Sequence, residues 1–97
     1  MQRGLRFGDP WYPIESEGEA RALEAELKRE MAPTHRLFGK CCVAIATCCG
    51  TDDVLFEVDE RGAQKLIVVH LTWNAEVSAE FPAAVEITSI DELDNWQ

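Results

Sequence analysis

The sequence predicts one α+β domain, residues 1–97: an antiparallel meander of three to four strands, an N-terminal helix on one face and a short C-terminal helix. Three observations predict it. A capping box opens an amphipathic stretch in the first third of the chain. Three apolar runs then follow, separated by turn signals too short for a crossover, so neighbouring strands must run antiparallel. A second capping box lies close to the C-terminus.

Taken in order, "FGDPWYPI" is an aromatic, proline-punctuated lead-in that reads as packed extended chain. Ser16 and Glu19 then form the S-x-x-E pattern, whose hydroxyl and carboxylate satisfy exposed amides at a helix start. Ala20, Leu23, Leu27 and Met31 recur at helical spacing and form the buried stripe, with charged residues largely off it. Pro33 disfavours helical geometry at Ala32 and ends the helix near Met31. "LFGKCCVAIATCC" is the first strand run, closed by "GTDD". "VLFEVD" is the second, with Val54, Phe56 and Val58 on one face and Glu57 and Asp59 on the other. After "ERGA", "QKLIVVHLTW" is apolar on both faces and reads as an interior strand. "NAEVSAEFPAA" is a loop and "VEIT" a fourth strand. Ser89 and Glu92 open the last helix, which carries Ile90, Leu93 and Trp96.

Composition narrows the function classes. A hydrophobic fraction of 46% with 28% charged residues describes a soluble globular chain. It has no apolar run of spanning length and no apolar leader, which predicts a cytoplasmic protein with no membrane association. The net charge is −9. Residues 66–97 contain Glu76, Glu80, Glu86, Asp91, Glu92 and Asp94 and no Lys or Arg, whereas 32–50 contain Arg36 and Lys40 and no acid. Nucleic-acid binding rests on cationic side chains, so this surface predicts no nucleic acid and steering toward a basic protein partner.

All four cysteines lie in "GKCCVAIATCCG". On one straight strand Cys41 and Cys49 share a face about 26 Å apart, and Cys42 and Cys48 share the other about 20 Å apart. Zinc needs its sulfurs within about 4 Å of one another, so no metal site and no cofactor is expected within one chain. The four are read as reduced, packed thiols. His70 lies on a face with Val68 and Thr72 and reads as a half-buried histidine bonded to a cross-strand neighbour; His35 reads as a surface residue. The motifs of serine hydrolases, zinc peptidases, phosphate-binding loops and calcium loops are missing, so no catalytic residue is assigned and the chain is not expected to be an enzyme. The alternative is a small enzyme or thiol/metal-dependent protein using His70 and Cys41, Cys42, Cys48 and Cys49. A further expectation comes from symmetry. "CCVAIATCC" is nearly palindromic about Ile45, and a meander leaves its first strand at an edge. Two copies paired there would set Cys41 opposite Cys49 and form a homodimer through this strand.

"DDVLFEV", "VVHLTW", a proline-containing loop and "SIDEL" together resemble a group of small, uncharacterised bacterial proteins, over roughly the second half of the chain. That resemblance implies no catalytic residues. Size, acidity and the α+β meander also resemble the immunity proteins that neutralise bacterial toxins. The resulting expectation is a small acidic protein-binding module that masks a basic toxin surface. Its binding residues would be Trp73, Glu76, Glu80, Phe81, Asp91 and Glu92, with Trp73 as the aromatic anchor. Trp11, Tyr12 and Trp96 are expected to lie outside the strands, where they would line the same surface.

Overall fold

The computed structural model describes residues 11–74 and 81–95. One antiparallel sheet has the order β1 (Trp11–Pro13), β2 (Cys41–Cys48), β3 (Asp53–Glu60), β4 (Ala63–His70) and β5 (Ala83–Ile87). Helix α1 (Glu17–Glu30) packs on one face, and a 3₁₀ helix (Ile90–Asn95) follows β5. The α+β meander with its N-terminal helix is the predicted architecture. Among the described residues, no helix is long and apolar enough to cross a membrane.

Local chemistry explains the boundaries. The Ser16 hydroxyl accepts from the Glu19 amide at 3.2 Å and starts α1. Met31 turns to extended geometry while its N–H still donates to the Leu27 carbonyl, which ends the helix where Pro33 requires. At the β3–β4 hairpin, Arg61 (φ 56°) and Gly62 (φ 84°) both occupy left-handed space between the paired Glu60 and Ala63. Two positive φ values make the two-residue turn whose twist matches the strands, and Asp59 Oδ1 accepts the Gly62 amide at 3.0 Å.

The sheet buries both faces. On the helix side Ile14, Ala20, Leu27, Met31, Leu37, Ala44, Val54, Phe56, Val58, Ile67, Val69 and Leu71 form one cluster. On the other side Trp11, Ile45, Ala46, Cys48, Leu55, Val68, Ile87 and Leu93 form a second. Alternation accounts for the division in β3 and β4. The predicted interior strand is β4, which lies between β3 and β5 but ends at His70, so Leu71–Trp73 lie beyond it, and β5 begins at Ala83, within the stretch expected to be loop.

β2 departs from simple alternation. Its register runs Ala44↔Phe56 and then Ala46↔Leu55, so Ile45 is an inserted residue, a β-bulge. The bulge reverses the faces beyond it. Cys42 packs toward α1, whereas Cys48 joins Trp11 on the opposite face. The shared face expected for Cys42 and Cys48 is therefore corrected. All four cysteines are free thiols.

β1 corrects a second expectation. Trp11 pairs with Cys48, Tyr12 with Thr47 and Pro13 with Ala46, which covers the outer edge of β2 along its second half. A homodimer centred on Ile45, with Cys41 opposite Cys49, would need that covered edge and is excluded. Trp11 is not on the surface; it is 1% exposed in the second cluster, while Tyr12 is exposed in β1. The C-terminal segment is a 3₁₀ helix rather than an α-helix. The Glu92 amide bonds to the Ser89 carbonyl, and the Glu92 carboxylate accepts from Thr88 N (2.7 Å) and Thr88 Oγ1 (2.5 Å). Three-residue bonds suit so short a segment, and they place Leu93 and Ile90 against the second cluster.

Candidate functional site at one end of the sheet

The end of the sheet where β2 finishes, β3 begins and β4 finishes gathers the groups with unusual chemistry. The segment after β4 begins with Leu71, which is buried and whose amide bonds to the Asp52 carbonyl at 3.0 Å. Thr72 and Trp73 then meet Glu30, the last residue of α1. Glu30 Oε1 accepts from Thr72 N (2.8 Å) and Thr72 Oγ1 (3.1 Å), and Oε2 accepts from Trp73 N (2.7 Å).

Glu30 is completely buried. A carboxylate at a helix C-terminus opposes the helix dipole, so local preference does not explain it. Its three donors do. Burial raises the Glu30 pKa, the neighbouring Glu26 carboxyl raises it further, and the Thr72 and Trp73 donors act in the opposite direction.

This clamp holds Trp73 in left-handed space at φ 63°, a conformation that large side chains rarely adopt. The indole is half exposed at 50%. Backbone strain and an exposed apolar surface are thus maintained together at one residue. Thr72 and Asn74 brace the turn, with Asn74 N donating to Thr72 Oγ1 and Asn74 Nδ2 to the Thr72 carbonyl. Phe81, at the far side of the same connection, is also exposed at 47%.

The next residue, Pro82, is tied to the body of the protein by His35. The Leu37 amide donates to His35 Nδ1 at 3.0 Å, which leaves Nε2 as the protonated nitrogen and donor to the Pro82 carbonyl at 2.7 Å. His35 is 5% exposed, so its expected surface placement is corrected. Both ends of the 71–82 connection are therefore anchored by buried side chains, Glu30 at one and His35 at the other.

Beside this connection, His70 Nδ1 lies 2.8 Å from Asp53 Oδ1. These residues are cross-strand partners, the arrangement expected for His70. Asp53 is buried, and its Oδ2 accepts from Thr51 Oγ1 at 3.1 Å. The carboxylate requires the His70 proton on Nδ1, so the neutral ring carries its lone pair on Nε2. Cys48 is buried on the same face as this pair, while Cys41 and Cys42 are at the opposite end of β2. Burial, with the charge of Cys41 next in weight, pushes the Cys42 thiol up to about 11, far from a reactive thiolate. Among the described residues, no group of three or more His, Cys, Asp or Glu side chains is placed to hold a metal.

The six expected binding residues are thus distributed unequally. Trp73 and Phe81 share this end. Asp91 and Glu92 are exposed but follow β5, whose five residues carry the chain about 16 Å to the other end of the sheet. Glu92 also serves as the acceptor for Thr88. Glu76, Glu80 and Trp96 lie outside the described residues. Sequence reasoning missed Glu30 and Asp53 and placed His35 on the surface; of the two missed, only Glu30 left a trace, an acid in the last turn of a helix.

No family model, curated protein or solved structure matches this chain.

Proposed function

We propose that this chain is a small, acidic protein-binding module acting in the cytoplasm, which uses Trp73 and Phe81 to seize a basic partner protein. The observation that carries this reading is Trp73 itself, half exposed and held at φ 63° by a buried carboxylate. Strain at a solvent-facing aromatic costs stability with no gain in core packing, which favours a role in recognition. Tryptophan is also the residue type most enriched at interface hot spots. The net charge of −9 supplies long-range attraction for a cationic surface. In its specific form the reading is an immunity-type protein that masks a basic bacterial toxin stoichiometrically.

Binding is tested with the wild-type chain and a Trp73→Ala/Phe81→Ala variant as baits in extract from the producing cell. The captured partner is then purified and its association rate measured across a salt series. A basic partner, a one-to-one complex, and a rate that falls at least about tenfold with salt are expected. The variant is expected to lose about 2 kcal/mol or more of affinity. A rate indifferent to salt, together with unchanged binding by the variant, refutes the reading.

The Asp53–His70 pair favours a second reading, a small hydrolytic or proton-transferring enzyme. A buried carboxylate on Nδ1 orients an imidazole as a general base acts through Nε2. The two readings part at His70→Gln, which leaves partner binding intact on the first and removes turnover on the second.

A further inference from the structure

We propose that the uncovered half of β2 takes an extended acidic peptide as an added strand, in the groove between this edge and α1. This surface lies at the opposite end of β2 from His70 and Trp73, and the inference is independent of the reading above.

β1 ends its pairing at Pro13↔Ala46, and the Ile14 amide makes the last bond, to the Ile45 carbonyl. The chain then turns away into α1. Among the described residues, Cys41–Ala44 have a strand neighbour, β3, on one side only. At Ala44 the outer edge is already partnered by a substitute: Glu24 Oε2 accepts the Ala44 amide at 3.0 Å, where the carbonyl of an adjacent strand would lie. Antiparallel alternation directs the N–H and C=O of Cys42 to that same edge. An extended chain continuing the line of β1 would meet them, the chemistry of strand addition.

The groove beside this edge has a volume of about 760 Å³. Met31, Phe38 and Val43 supply its apolar surface, and Phe38 and Val43 are exposed at 49% and 40%. Arg21, Lys28 and Lys40 line it too, against Glu24 as the one acid among the lining residues. Glu24 is occupied by Ala44 N and by Arg21 at 3.2 Å. Lys40 lies 3.9 Å from Glu60, outside the groove, whereas Lys28 makes no ion pair among the described residues. Three cations against one acid in the lining, with Lys28 unpaired, make this groove locally positive on a chain of net charge −9, which favours an anionic occupant. A second copy would bring the same three cations and the same net charge, so like charges would face each other. The N-terminal residues 1–10 have the wrong sign, with Arg3 and Arg6 against Asp9. The fitting partner is therefore a segment of another protein that alternates acidic with β-branched apolar residues.

The probes are three labelled heptapeptides: one alternating Glu with Val, one alternating Lys with Val, and the Glu–Val peptide N-methylated at alternate amides. Binding is followed by anisotropy and by amide chemical shifts of the full chain. The Glu–Val peptide is expected to saturate and to shift amides in 38–44 and along α1. The Lys–Val and N-methylated peptides are expected to bind at least tenfold more weakly, and Lys28→Glu to weaken the Glu–Val peptide by a similar factor. Equal binding by the Glu and Lys peptides, full binding by the methylated peptide, or no shifts in 38–44 at millimolar peptide overturns the proposal. Sedimentation as a dimer whose 41–44 amides shift with protein concentration would assign the edge to a second copy and overturn it equally.

Discussion

Glu30 and Trp73 are the two residues at which local preference and observed structure disagree most. Glu30 accepts from three donors in a buried setting, so Glu30→Ala orphans them. Stability should fall by about 3 kcal/mol or more, measured by urea unfolding, since each orphaned buried group costs about 1–3 kcal/mol. Glu30→Gln keeps one acceptor oxygen and should lose less. The pH dependence has a definite sign. The folded-state pKa of Glu30 is raised, chiefly by burial, so the native state holds its proton to higher pH than the unfolded state does. Relative to Glu30→Gln, wild-type stability should rise as pH falls through the raised value and level off below the ordinary carboxylate range. A difference curve with the opposite slope would refute the assignment. At Trp73 the left-handed backbone makes glycine the better residue for stability. Trp73→Gly should be about 1 kcal/mol more stable than Trp73→Ala, while both lose partner binding. Equal stability of the two would remove strain from the account of this site.

Among the elements, β2 is where a single inserted residue redirects side chains. Without the bulge at Ile45, Cys42 and Cys48 would share a face; with it, one lies under α1 and the other beside Trp11. Thiol labelling of the native protein at mildly alkaline pH reports this placement. Cys41 and Cys49 are exposed and should react quickly, while Cys42 is held back by its raised pKa and Cys48 by burial. Two fast and two slow thiols are expected, the slow pair reacting fully in denaturant. Four equally fast thiols would contradict the strand geometry. Both capping patterns in the sequence act at chain turns, but by different means. Ser16 caps α1 as its pattern predicts, whereas Glu92 reaches past Ser89 to Thr88 and opens a 3₁₀ helix.

Across the whole molecule, one sheet serves two cores. Phe56 and Leu55 are adjacent in β3, each 0% exposed, and point into opposite clusters. Because the shared sheet couples both clusters, Phe56→Ala and Leu55→Ala should each cost about 3–5 kcal/mol. Each variant should unfold in one transition with an unchanged denaturant slope. Two separated transitions in either variant would show that the faces unfold independently. Charge is likewise organised at this scale. Arg36 bridges Glu60 (3.2 Å) and Glu86 (2.8 Å), and Lys65 also meets Glu86 (3.3 Å), tying the segment before β2 to β3 and β5. These hydrogen-bonded cations, Arg36 foremost, hold both carboxyls below their ordinary range. Their contribution is present above the usual carboxylate pKa and is lost as pH falls through the depressed values, the reverse of Glu30.

The α+β class, the extent of α1 and the existence and order of β3 to β5 were legible in the sequence by itself, because each rests on short-range physics, whereas the ends of β4 and β5 were not. The Ser16–Glu19 cap, the 3.6-residue stripe from Ala20 to Met31 and the period-two alternation of Val54, Phe56 and Val58 are all written within a few residues. So was the pairing of His70 with a cross-strand neighbour. Long-range placement was decided only by the tertiary structure. Trp11 adds a strand because the edge of β2 offers unpaired amides, and no local pattern in "DPWYPI" marks that pairing. Ile45 is inserted between Ala44 and Ala46, and no local pattern in "CCVAIATCC" marks the bulge that moves Cys48 to the second cluster. Glu30 meets Thr72 and Trp73 across more than forty positions of sequence, and His35 meets Pro82 across 47. Such contacts depend on how finished elements stack. A buried acid or imidazole declares its role only once the chain has brought its donors and acceptors to it.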